Sequence, residues 1–256
     1  MPETIKFRLG ARLAIIRKPD SNETYYTYNL PHKIMLYGML GAIIGLNGYN
    51  SESFIRSIKK EKEQLPDFYT KLKNIRIGII PNFGEKGFDK KIQSFNNSVG
   101  YASQEEGNNL IVAEQILENP SWNIYILDNN SEEYQKIKDY LLNRKCEYIP
   151  YIGKNDYFAN ISKVEIFEAK DAKITTNLDS IFEEDILKGY VNDYMKVLAF
   201  DDDAKLEYEF SEVLPTELDL KLGYTNYKKF IYTNKDFEVK ENTKIYEVNG
   251  KKIYYF

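Results

Sequence analysis

Histidine is the side chain best suited to proton transfer near neutral pH, and this sequence holds one, His32. His32 lies just before an apolar run, at the expected start of a helix, where a turn or cap role outweighs catalysis. The one cysteine, Cys146, has no partner for an internal disulfide. With one His and one Cys, a metal would have to rest on carboxylates, and Asp201, Asp202 and Asp203 are neighbours in sequence that would not naturally converge on one ion. Neither G-x-G-x-x-G nor G-x-x-x-x-G-K-[ST] occurs. The residues therefore predict no catalytic group, no metal and no cofactor.

Cations beside aromatic rings offer a different chemistry, the holding of a nucleic-acid strand. Between Pro81 and Asn109, Lys86, Lys90 and Lys91 are interleaved with Phe83, Phe88 and Phe95. Charge is uneven along the chain. Residues 1–100 carry sixteen Lys or Arg against nine Asp or Glu, a net of +7, whereas residues 101–256 carry nineteen against thirty, a net of −11. A polyanion is expected on the first half. Thr175 to Leu220, with thirteen acids and three lysines, would repel phosphate and suits solvent or a basic protein. The 22 tyrosines are compatible with base stacking, but a ring in the core with its hydroxyl at the rim is the commoner use.

The elements that must position these groups start with "TIKFRLGARLAIIRK", where Ile5, Phe7 and Leu9 alternate with Lys6 and Arg8, the pattern of a strand. A tyrosine-bearing loop follows, then a helix expected from about His32 to Leu46. Its apolar run, Ile34 to Leu46, is thirteen residues, too short for the ~20 that cross a bilayer. Gly38, Gly41, Ala42 and Gly45 share one face and predict close approach to a sheet or another helix. The helix start, with Lys33 in its first turn, also favours an anion. "SESFIRSIKKEKEQLPDFYTKLK" reads as a charged helix, "NIRIGII" as a strand, and 81–109 as a long loop with little periodicity, functional or disordered. Strands "LIVAEQIL" and "WNIYILD" follow. A helix begins after Ser131, with Tyr134, Ile137 and Leu141 at helical spacing and Arg144 and Lys145 in its last turn, and "KVEIFEA" is a further strand. Strand, helix, strand, strand, helix, strand is the split βαβ, ferredoxin-like or RRM-like plan. No signal peptide is read, and a cytoplasmic location is expected.

Three passages carry a resemblance to a known family. "FRLGARLAIIRKP", "YNLPHKIMLYGMLGAIIGL" and "EYIPYIGKNDYFANI" (147–161) resemble the first strand with its basic turn, the glycine-dotted first helix and the tyrosine-proline-glycine segment of the Cas five family. That family supplies the RAMP-type subunit of Cascade, the type I CRISPR effector. "VLPTELD" (213–219) and the closing "VNGKKIYYF" are similar to the type I-B branch. The resemblance implies an α+β fold. An RRM-like βαββαβ domain over 1–172 would carry a thumb insertion at about 81–109, with a smaller β-rich domain over 173–256. It implies a noncatalytic subunit in antiviral defence that holds the 5′ tag of the guide RNA. Its partners would be the backbone subunit, the large subunit and, indirectly, target DNA, with no membrane partner. RNA contacts are expected at Arg17, Lys18, Tyr26, His32, Lys33, Lys86, Lys90 and Lys91. The alternative is a metal-independent endoribonuclease maturing the guide, as in the type I-C branch, from whose histidine position this chain departs.

Overall fold

The computed structural model describes residues 1–21, 24–49, 58, 64–83, 86–96, 111–172, 176–191 and 206–256. Strand β1 (Glu3–Gly10) follows its alternation: Ile5, Phe7 and Leu9 are fully buried while Arg8 is exposed. Next come the short strands β2 (Leu13–Ala14) and β3 (Thr24–Tyr25), then helix α1 (Lys33–Ile44). Eight of its twelve residues are buried, as expected of a helix apolar all round. Burial of each large side chain is worth ~1.5–3 kcal/mol, which outweighs the helix cost of Gly38 and Gly41. Those glycines seat helix α2 (Asp67–Leu72): a Cβ on Gly41 would lie 2.5 Å from Phe68 Cβ. The close partner is thus another helix. Gly45, at φ +78°, closes α1 in the left-handed conformation. Among the described residues no helix is long and apolar enough to cross a membrane.

Strands β4 (Arg76–Pro81), β5 (Lys90–Asn96), β6 (Ile111–Glu118) and β7 (Ser121–Leu127) precede helix α3 (Glu132–Leu142) and strand β8 (Asn160–Glu168). Ser131 caps α3, its Oγ accepting from Tyr134 N–H at 3.1 Å. Arg144 and Lys145, expected in the last turn, fall beyond its end. The central sheet has the order β4-β7-β1-β8, every neighbouring pair antiparallel. A second sheet runs β2-β6-β3, with β5 added on β6.

β5 corrects the expectation of a structureless 81–109. Lys90 to Asn96 pair in continuous register with Leu117 to Ile111, and Pro81 belongs to β4. "KKIQSFN" has no buried face to betray a strand, because six of its seven residues are exposed and β6 supplies its order. Residues 84–85 and 97–109 of that segment, about half of the charged helix expected over 51–73, and Asp201 to Asp203 lie outside the described residues.

The C-terminal part is almost all strand. It comprises β9 (Lys170–Asp171), β10 (Phe182–Glu183), a 3-10 turn at Glu184–Ile186, β11 (Leu187–Tyr190), β12 (Glu209–Asp219), β13 (Gly223–Thr233), β14 (Phe237–Val239), β15 (Ile245–Val248) and β16 (Lys251–Tyr254). Its side chains join the main core: Ile181, Leu214, Leu218, Phe230 and Phe256 share a cluster with α1 and β1. Phe256 exchanges both backbone hydrogen bonds with Ile77 at 3.1 Å, and Ile181 N–H donates to Ile79 O at 2.9 Å. The outer edge of β4 is covered by these bonds. Overall the fold is mixed α+β, mostly sheet with few helices.

Candidate nucleic-acid interface

Residues 151–158, "YIGKNDYF", form a small hairpin held against the start of the chain. Tyr151 and Phe158 are cross-strand partners, and Ile152 N–H donates to Tyr157 O at 2.9 Å. Gly153 has φ +88°, and a Cβ there would lie 1.8 Å from Ile15 O, so the turn rests backbone against backbone. Ile15 N–H donates to Ile152 O at 3.3 Å at the same place. The Lys154 ammonium is paired with the buried Glu114 carboxylate of β6 and lies 4.7 Å from the centre of the Phe95 ring on β5. These contacts lock the hairpin to the β5–β6 pair.

A cavity of about 650 Å³ opens between them, walled by Arg12, Gln93, Phe95, Lys154, Tyr157 and Phe158, with Asp156 at its side. A second of about 470 Å³ adjoins it, walled by Arg8, Arg12, Asn119, Phe158, Asn160 and Ser162. Arg12 and Phe158 line both. The turn bearing Arg12 is stitched to the β6–β7 turn: Ala11 N–H donates to Pro120 O at 3.2 Å and Asn119 N–H to Arg12 O at 2.9 Å. Arg8 Nε donates to Ser121 Oγ at 2.8 Å. Among the described residues neither Arg8 nor Arg12 meets a carboxylate. Two guanidinium groups without counter-charge, beside an exposed phenyl ring, make a groove suited to an anionic aromatic ligand.

None of the eight RNA contacts expected from sequence lines these cavities. Arg17 is exposed, its guanidinium 3.6 Å over the Tyr25 ring, and Tyr26 is exposed nearby. Lys18 lies 3.4 Å from Glu212 Oε1 and 4.9 Å from the centre of the Tyr28 ring. Lys90 is near the same carboxylate and near Lys18, and burial lowers its pKa. Lys91 pairs with Glu118 at 3.0 Å, and Lys86 is exposed. Lys33, its pKa also lowered by burial, is surrounded by Glu183, Glu217 and Lys228. Lys18 and Lys90 are therefore brought together, and Lys33 stands apart among C-terminal strands.

His32 is the N-cap of α1, its Nδ1 accepting from Met35 N–H at 3.2 Å. Its ring is 2% exposed, meets Tyr28 and Tyr224 edge-on, and burial pushes its pKa down to about 3. It presents no surface to a ligand. Glu212, from the acidic stretch expected to face protein or solvent, is buried as well. Its carboxylate accepts from Asn29 N–H at 2.9 Å and Leu30 N–H at 3.0 Å. Burial raises its pKa, against those bonds and Lys18. Among the described residues no three His, Cys, Asp or Glu could hold a metal ion.

The residues missed by sequence reasoning, Arg8, Arg12 and Phe158, left partial traces. Arg8 was legible as the outward side of β1, and Phe158 sits in an aromatic-rich stretch around a Gly-Lys turn.

No family model and no curated protein matches this chain. Solved structures do match. A chain described as "CRISPR RNA-guided surveillance complex" superposes with a TM-score of 0.52 and 12% identity, covering 92% of this chain and 91% of that one. A CRISPR protein from Archaeoglobus fulgidus has a TM-score of 0.46 and 12% identity, over 98% of both chains. A Cas protein has a TM-score of 0.42 and 12% identity, over 93% of this chain and 96% of that one. At 12% identity the likeness is one of fold: across nearly its whole length this chain shares the fold of that surveillance-complex chain.

Proposed function

We propose that the chain is a Cas five family subunit of a type I Cascade complex, of the I-B branch, and that it binds the repeat-derived 5′ tag of the guide RNA without cutting it. The groove carries this reading, because Arg8 and Arg12 lie there and, among the described residues, pair with no carboxylate, and Phe158 stands beside them. The sheet order β4-β7-β1-β8, with α1 between its first two strands in the chain and α3 between its last two, fits the ferredoxin-like βαββαβ plan. The β5–β6 excursion between β4 and β7 falls where the thumb of this reading would insert. The backbone and large subunits would be its protein partners, and residues 173–256 its smaller domain. A noncatalytic role is supported by the burial and low pKa of His32, since a general base works best with a pKa near the operating pH.

The test is RNA binding measured across a salt series. The double variant Arg8→Ala, Arg12→Ala should bind tag RNA more weakly and lose about 1.4 from the slope of log affinity on log salt, two contacts at ~0.7 each. The double variant Arg17→Ala, Lys18→Ala measures in the same assay the contribution of two of the contacts expected from sequence. Unchanged affinity and slope in a folded Arg8/Arg12 variant would remove the groove from the function. Incubation of the unaltered protein with precursor repeat RNA and EDTA should leave the RNA intact. Cleavage at the base of the tag would promote the endoribonuclease reading.

A further inference from the structure

The rings of Tyr151 and Phe158 are exposed, 46% and 62% accessible; Phe158 lines both cavities and Tyr151 is its cross-strand partner. Their backbone geometry sets how they stand. The bonds Ile152 N–H to Tyr157 O and Ala159 N–H to Pro150 O, both 2.9 Å, flank the pair, which makes 151 and 158 a non-hydrogen-bonded antiparallel pair. In such a pair the Cα atoms are ~4.5 Å apart and both side chains leave the same face. Both side chains therefore leave one face of the hairpin, and that face cannot swing away, because Gly153 is seated on Ile15 and Lys154 is tied to Glu114. Phe158 continues into both cavities, where Arg12 accompanies it.

Apolar rings fixed in water beside two guanidinium groups that make no ion pair among the described residues, with Asp156 the one acid on the wall of the larger cavity, combine two recognitions in one place: planar π faces and negative charge. A peptide would satisfy the rings and leave the arginines without counter-charge unless it were acidic. A duplex would satisfy the charge but hides its base faces in its own stack. An unpaired polynucleotide supplies both at the repeat of a single chain.

Resting on the RNA-binding reading above, we propose that Tyr151 and Phe158 are a stacking platform for unpaired bases, on which single-stranded RNA is held while Arg12 and Arg8 take its phosphates. Because every base has a π face, the platform tolerates sequence and rejects duplex.

The experiment uses the full chain with Phe158→Trp. The native Trp122 is fully buried and its Nε1 donates to Asn29 O at 2.9 Å, so it supplies a constant background against which an exposed Trp is read. A short oligoadenylate RNA should quench the new indole, and the duplex of the same length should not. Phe158→Leu, which keeps an apolar side chain and the hairpin, should weaken binding by roughly 5- to 160-fold, the range measured for base–aromatic stacks. Tyr151→Leu should act in the same direction. If labelled RNA binds but the indole is not quenched and Phe158→Leu binds normally, the platform is wrong while the RNA reading stands. If the unaltered protein does not bind RNA, both fall. If the indole responds to a purified partner subunit and not to RNA, the surface belongs to a protein contact and the proposal is overturned.

Discussion

His32 illustrates how a reactive residue type can be consumed by local structure. Its Nδ1 serves the first turn of α1, and the ring is enclosed by Tyr28 and Tyr224. Held neutral in the fold, with a pKa near 3 against an ordinary value of 6.5, it takes up a proton in the unfolded chain well before the folded one does. The stability that follows is complete above pH ~6.5 and is lost as pH falls toward 3, at ~1.4 kcal/mol per pH unit. His32→Asn keeps a good cap but loses the ring contacts, so stability at neutral pH should drop by ~1–2 kcal/mol. Between pH 6.5 and 4.5, however, the gap between the unaltered protein and the variant should shrink as the pH is lowered. Urea titrations at several pH values measure it. A gap that stays constant with pH would mean that His32 is not held neutral.

Among elements, the 151–158 hairpin decides the groove, and one glycine decides the hairpin. Gly153→Ala faces both a left-handed φ and a Cβ at 1.8 Å from the Ile15 carbonyl, so the backbone must separate. A loss of at least ~2 kcal/mol is expected. RNA affinity should fall too, although no residue touching the groove has changed. Gly189→Ala, where a Cβ meets nothing within 4 Å, is the control and should be near neutral in both assays. Denaturation midpoints together with binding isotherms test this. Retained affinity in Gly153→Ala would show that the hairpin position does not matter to the groove. The amphipathic helix α3 and the strand β1 were legible from spacing alone, and α1 from its apolar composition. β5 was not, since its order comes from pairing with β6 and not from a buried face of its own.

At the scale of the whole molecule, Glu212 joins the C-terminal strands to the loop that leads into α1. Two backbone N–H groups and the Lys18 ammonium converge on this one buried carboxylate. Glu212→Ala leaves those donors and the charge on Lys18 without their partner and should cost about 3 kcal/mol. Glu212→Gln retains an acceptor oxygen and should cost less. Burial raises the Glu212 pKa, so its contribution is complete below the ordinary carboxylate range and declines as pH rises through the elevated value, the reverse of His32. In Glu212→Gln that decline should vanish. Chemical denaturation between pH 4 and 7 reads the difference, and equal pH dependence in both proteins would count against a buried, perturbed carboxylate.

What the sequence by itself determined is what repeats at short range: the alternation of β1, the apolar run of α1 with its small face, the Ser131 cap of α3, and the charge asymmetry between the halves. Period and propensity act between neighbours along the chain, so they can be read without knowing how the chain folds back. Only the tertiary structure decided which cations share a surface. Arg8, Arg12 and Phe158 come together because Gly153 sits on Ile15, Lys154 reaches Glu114 and Asn119 binds the Arg12 carbonyl. Lys33 and Lys18, equally basic on paper, lie elsewhere: Lys33 is half-buried near Glu183, Glu217 and Lys228, and Lys18 pairs with Glu212. A charge acts on whatever lies within a few ångströms, and those distances are set by contacts between segments far apart in the chain, which no local pattern records.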